Sequence, residues 1–165
     1  MENKTRYISA QELFTEIEPF LQDGNSVWFT VTGSSMLPWI VGGRDRVEII
    51  LAEPEKLKIG DIVLFQVNPG KFVLHRIIRK SKYEILTAGD GNLHLDGWTP
   101  NSTVIAKVRS IQRKERIIYC NSVLWACITC FWILSFPFRS SIFTLLQYIQ
   151  KYRGKRKANK NENTL

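Results

Sequence analysis

Apolar and polar positions come in short runs through the middle of the chain and fall into helical spacing only towards its two ends. The segments 27–31, 46–51, 61–67, 72–79, 83–88 and 103–112 are rich in β-branched and aromatic residues, and Gly, Pro, Asn or Asp residues punctuate the stretches between them. Six such runs with no helical repeat between them predict a mainly β protein, with a coiled antiparallel β-sheet domain over residues 27–116. Upstream, Leu13, Ile17, Phe20 and Leu21 recur at helical spacing, and Ser9 with Glu12 makes a capping box. Asp23-Gly24-Asn25 stops this N-terminal helical segment, which occupies residues 1–26.

Downstream, residues 117–138 form a stretch of 22 residues with no charge. A helix of that length reaches across the ~30 Å hydrocarbon core of a bilayer. Asn121, Ser122 and Thr129 make the stretch less than fully apolar, and Pro137 breaks it. A second piece follows, with Ile142, Leu145, Leu146, Ile149 and Tyr152 at amphipathic spacing. Residues 117–154 are therefore expected to form hydrophobic and amphipathic membrane-associated helices, and residues 155–165 a basic disordered tail.

Charge changes the picture mainly by its location. The net charge is +8 over 165 residues, yet up to Arg116 there are 16 Lys and Arg against 14 Asp and Glu. From Arg139 onward the count is 7 against 1, so the basicity resides in the tail and makes no nucleic-acid-binding face on the folded part. The opening residues are polar and acidic, without the apolar core of a secretory leader. Cys127 and Cys130 form a C-x-x-C, but neither a histidine nor a second cysteine pair accompanies it. They are expected to be small apolar residues of a buried or lipid-facing helix, and no metal or other cofactor is expected.

The candidate chemistry begins at Gly33-Ser34-Ser35-Met36-Leu37-Pro38, directly after the first strand run. A serine behind a glycine turn at a strand end presents its hydroxyl free of backbone crowding, and its own N–H can help to bind an oxyanion. Three further groups follow in order: Gly60-Asp61-Ile62-Val63, then His75-Arg76-Ile77, then Gly89-Asp90-Gly91-Asn92 with Asp96 behind it. His94 is the other histidine, in what reads as a surface loop.

Taken together and in this order, these boxes resemble those of the signal-peptidase and LexA-like serine peptidases, over roughly residues 27–108. The resemblance implies a coiled β-fold and a Ser35 nucleophile. His75 falls where the microsomal and archaeal-type signal peptidases carry a histidine base and other members a lysine. It further implies that Asp96 orients His75 and that Asp90 organises the neighbouring turn, while Met36 and Pro38 shape the nucleophile loop and line the substrate groove. The family's oxyanion-assisting serine corresponds to Gly33, with Ser34 beside it as a shifted substitute.

The function expected from this resemblance is a serine endopeptidase that cuts a peptide or protein precursor beside a small residue. Two alternatives stand next to it: a LexA-like protein that cleaves itself or a partner as a regulatory step, and a non-catalytic binding module on the same fold. Membrane lipid is the second expected partner. Residues 117–138 span the bilayer, lie in its interface, or pack on the β-domain, with Lys107, Arg109, Arg113, Lys114 and Arg116 on one flank and the Lys/Arg tail on the other.

Overall fold

The computed structural model describes residues 17–139 and 141. The chain forms two compact units, residues 1–130 and 131–165. Residues 17–22 are helical, and Ile17 and Leu21 from this turn are buried in the core of the first unit. The earlier part of the expected N-terminal helix, the amphipathic piece 142–152 and the basic tail lie outside the described residues.

The first unit is built on an eight-stranded antiparallel sheet that does not close on itself. Its strands are β1 (Val27–Thr30), β2 (Arg46–Leu51), β3 (Ile62–Asn68), β4 (Lys71–Lys80), β5 (Glu84–Ala88), β6 (Trp98–Pro100), β7 (Val104–Arg113) and β8 (Arg116–Tyr119). The order is β1-β2-β7-β3-β4-β5-β6, with β8 paired to β7. Six of these match the expected runs to within a residue or two. The very short β6 and the hairpin strand β8 were not foreseen.

Register shifts in the β2–β7, β3–β4, β3–β7 and β4–β5 pairs bend the sheet. It carries a core on each face. The larger core joins Leu21, Val31, Met36, Ile40, Ile49, Leu64, Ala106 and Trp125, among others. The smaller one joins Ala52, Leu57, Val63, Phe65, Ile77, Ile85 and Val104. Strand alternation assigns neighbours in β4 to opposite sides, so Leu74 joins the larger core and Ile77 the smaller.

The uncharged stretch 117–138 is not one helix. Arg113 to Arg116 form a tight hairpin in which Lys114 has φ 56°, and Ile117, Ile118 and Tyr119 continue as β8 against β7. β-Branched and aromatic side chains favour this strand. Ser122 then accepts a hydrogen bond from the Trp125 N–H at 3.2 Å, an N-cap contact that starts the helix Val123–Leu134. Among the described residues no helix is long and apolar enough to cross a membrane.

Trp125 and Thr129 on this helix are buried, whereas Val123, Leu124, Cys127 and Cys130 are exposed. Half-buried Cys120 lies just before the helix, and burial pushes its thiol up to about 12. In the second unit the Arg139 guanidinium lies over the rings of Trp132 and Phe136, with its carbon 4.8 and 4.5 Å from their centroids.

Two buried carboxylates tie down the half of the sheet near β1. Glu48 accepts hydrogen bonds from Ser26 at 2.9 Å and Ser110 at 2.8 Å, and pairs with Arg109. Asp45 accepts from the Arg44 guanidinium at 2.7 and 2.9 Å, from the Val41 N–H at 3.0 Å and from Arg113 at 3.2 Å. Burial alone would raise the pKa of Asp45, but these donors outweigh it and bring the value down to about 2.

A carboxylate whose pKa is depressed in the folded state stabilises the fold above its unfolded pKa, and that contribution is lost as pH falls through the folded value. Asp45 is therefore expected to contribute about 1–2 kcal/mol at neutral pH that disappears between about pH 5 and pH 2. Urea unfolding across that range checks this, with Asp45→Asn giving a flatter acid limb than the unsubstituted protein.

Candidate active site

The loop that carries Ser35 runs from Val31 to Ile40 and is anchored at both ends, since both residues are buried in the larger core. Gly33 adopts φ 83°, a left-handed conformation that suits glycine. The opposite wall of the turn is so close that a Cβ on Gly42 would lie 2.1 Å from the Gly33 carbonyl oxygen. The Leu37 N–H donates to the Ser34 carbonyl at 3.1 Å and the Ile40 N–H to that of Met36 at 2.9 Å, and the Leu37–Pro38 peptide is cis.

Within this loop Ser35 is half-buried, and Gly33, Ser34 and Pro38 are exposed. Met36, expected to line a groove, is only 2% exposed and packs into the larger core, where it holds the loop down. Its unbranched apolar side chain is better accommodated there than in water.

The loop rests on the turn after β5. The Gly91 N–H donates to the Ser35 carbonyl at 2.7 Å. A Cβ on Gly89 would come within 2.5 Å of that same oxygen, and one on Gly91 within 2.9 Å of the Ser34 carbonyl. The Gly89-Asp90-Gly91 box is therefore required sterically, because two backbones meet there with no space for side chains.

Between these glycines, fully buried Asp90 receives two hydrogen bonds from Arg76, Nε at 2.8 Å and Nη2 at 2.7 Å. Arg76 Nη1 donates to the Gly60 carbonyl at 2.8 Å and to Thr129 Oγ1 at 3.1 Å. Arg76 is 1% exposed, so it is a buried, hydrogen-bonded cation and not a solvated strand residue. The Gly60-Asp61 box serves the same neighbourhood, because Asp61 Oδ2 accepts the Lys58 N–H at 2.9 Å and shapes the turn that presents the Gly60 carbonyl.

On the other face of β4, His75 is buried and lies edge-on to Phe65, with ring centroids 6.4 Å apart. Its Nδ1–H donates to Asp96 Oδ2 at 2.7 Å. The same oxygen accepts the Thr87 hydroxyl at 2.7 Å, and the Asp96 N–H donates to the Thr87 carbonyl at 2.9 Å. His75 Nε2 is buried and has no hydrogen-bond partner among the described residues, so Ser35 Oγ is not bonded to it.

His75, Thr87 and Asp96 thus form one cluster, and the Ser35 loop sits on the turn that begins two residues after Thr87. Asp90 faces Arg76, while Asp96 faces His75. His94 is exposed in the intervening loop. Trp98 is 49% exposed on the short strand β6.

Thr87 was not singled out by sequence. The available signal was a hydroxyl between the apolar residues Leu86 and Ala88 of a strand run, which must find an acceptor if buried. The described residues contain no cluster of three or more His, Cys, Asp or Glu that could hold a metal ion. No protein-family model and no curated protein matches the chain.

The Arg76–Asp90 pair is expected to be costly to break from one side. Arg76→Met leaves a buried carboxylate without its cation and should cost about 3–5 kcal/mol in chemical unfolding. A loss below about 1 kcal/mol, the range of exposed ion pairs, would contradict the buried geometry.

Proposed function

We propose that this chain is a serine endopeptidase of the signal-peptidase/LexA-like kind, cutting a peptide or protein precursor with Ser35 as nucleophile and His75 as general base. The observation that carries the reading is the state of the His75 ring. Nδ1 is held by Asp96, which is held in turn by Thr87, and the buried Nε2 is left open. That arrangement sets the tautomer in which Nε2 can accept a proton. The open, bulged antiparallel sheet is compatible with the coiled fold of that superfamily, which is part of the same proposal.

In the reaction, Ser35 Oγ bonds to the scissile carbonyl carbon as its proton passes to His75 Nε2, and the carbonyl electron pair moves onto oxygen. The Ser35 N–H, with the Ser34 hydroxyl beside Gly33, is the candidate donor set for that oxyanion. The proton then goes to the leaving amine as the C–N bond breaks. Water attacks the Ser35 acyl ester with His75 again taking the proton; the ester C–O bond then breaks as His75 returns that proton to Ser35 Oγ, and the acid product leaves. Preference for a small residue at the cut is inherited from the resemblance.

A second reading, a non-catalytic binding module on the same fold, rests on Ser35 Oγ not being bonded to His75 Nε2. One experiment separates the two. The full chain is tested for cleavage of peptides and precursor proteins, beside Ser35→Ala and His75→Ala. Each substitution is expected to lower turnover by about 10³-fold or more with the fold retained. Cleavage at an unchanged rate in either variant sinks the assignment, and a wild-type chain that binds peptides without cutting any supports the binding module.

The proposal includes membrane lipid as a second partner. Val123, Leu124, Phe131 and Leu134 are 70–81% exposed on a helix without a charged residue. Lys114 and Arg116 are exposed before it, and the Lys/Arg-rich tail follows in sequence. Twelve helical residues extend about 18 Å, short of the ~30 Å core, so an interfacial contact with anionic headgroups is the form these features support. The full chain is expected to sediment with vesicles containing phosphatidylglycerol and to be released by salt. Equal recovery with and without vesicles at low salt overturns this part.

A further inference from the structure

The helix Val123–Leu134 touches both halves of the candidate site from a single side. Trp125 is 5% exposed. Its ring faces the Arg76 guanidinium, whose carbon is 5.5 Å from the ring centroid, within cation–π range. It also meets Trp39 edge-on, with centroids 6.0 Å apart and planes at 80°. One turn further on, Thr129 is 7% exposed and its Oγ1 accepts from Arg76 Nη1 at 3.1 Å.

Arg76 is the neighbour of His75 in β4, and through Asp90 it holds the Gly89–Gly91 turn on which Ser35 rests. Trp39 lies four residues after Ser35 on the nucleophile loop, with its carbonyl held by Arg113 at 2.6 Å. Trp125 therefore bridges the loop that carries the nucleophile and the strand that carries the base.

We propose that Trp125 and Thr129 are positioning residues of this site, acting through Trp39 and Arg76 to hold the Ser35 loop against the turn beside His75. This rests on the Ser35–His75 reading for its catalytic meaning. The physical reasoning is independent of it. Besides Asp90 and Gly60 from the two turns, Arg76 has two further neighbours, an acceptor and an aromatic face, and both come from this helix. Without them a buried guanidinium loses one of its four protein acceptor contacts and gains an open side, and it gains freedom that passes directly to Asp90 and the Gly91 N–H.

The test uses the full chain carrying Thr129→Val, which keeps the shape and removes the acceptor, and Trp125→Leu, which keeps an apolar filler and removes the ring. Amide hydrogen exchange is read at Gly91, whose N–H donates to Ser35, and at Ala106 in the centre of the sheet. Both variants are expected to speed exchange at Gly91 on the order of tenfold while Ala106 stays protected, and Thr129→Ser is expected to restore the original rate.

Unchanged exchange at Gly91, or acceleration in step with Ala106 as in a general loss of stability, overturns the proposal. If Trp125→Leu fails to fold, the Thr129 pair of variants decides. On any substrate that the wild type cuts and Ser35→Ala does not, the two variants should lower kcat and leave KM nearly unchanged, and a change in KM alone also overturns it. Loss of the peptidase reading registers separately, as cleavage insensitive to Ser35→Ala, and leaves the exchange result standing.

Discussion

A guanidinium that is 1% exposed can exist in a folded protein only if its N–H groups meet acceptors and a counter-charge lies beside it. Arg76 satisfies both needs by drawing together parts of the chain far apart in sequence. Asp90 comes from the turn after β5, Gly60 from the turn before β3, and Thr129 and Trp125 from the helix behind the sheet. Three sequence boxes separated by tens of residues become one structural feature because a single cation needs all of them. The two glycines beside Asp90 let the Ser35 loop approach to backbone contact, so the electrostatic need and the close packing act on the same turn.

Alternation along β4 then gives two adjacent residues different work. Arg76 turns toward the larger core and fixes the scaffold. His75 turns toward the smaller core, where Asp96, itself held by Thr87, binds one nitrogen and the other has no hydrogen-bond partner among the described residues. The buried imidazole is thus asymmetric in its bonding. This asymmetry, more than the presence of a serine in a glycine turn, supports the peptidase proposal. The Ser35 loop shows a matching division, with Met36 buried as its anchor and Ser35 half-buried beside it.

The apolar segment after the sheet shows how local chemistry redistributes what hydropathy treats as uniform. An uncharged stretch of 22 residues divides into a strand, a capped helix and a short 3-10 turn. The hairpin at Lys114 and the Ser122 cap set those divisions. One face of the resulting helix is used against Arg76 and Trp39, and the other remains apolar and exposed, which connects a candidate site on one side with a candidate lipid contact on the other.

Most strands were legible because alternating burial in a sheet writes a period of two into the residues, and Gly, Pro and Asn mark the turns. The boxes around Ser35, His75, Asp90 and Asp96 stood out in the sequence through a family resemblance, and the structure gives a physical reason for the restricted residue types at Gly89, Asp90 and Gly91: close backbone approach and buried charge each permit few of them. β6 and β8 were not, since three or four residues carry too little pattern to separate a strand from a loop or from the start of an apolar helix. Nor was the role of Thr87, Trp39, Trp125 or Thr129. An ordinary threonine or tryptophan acquires its function from what it faces, and that depends on pairings between positions up to 86 residues apart, as between Trp39 and Trp125. The sequence by itself determined the alternation, the turns and the residue types capable of the chemistry. Only the tertiary structure decided which carboxylate meets the histidine, which meets the arginine, and that Trp125 and Thr129 of the hydrophobic helix meet Arg76, because each of these is a contact between segments that no local pattern encodes.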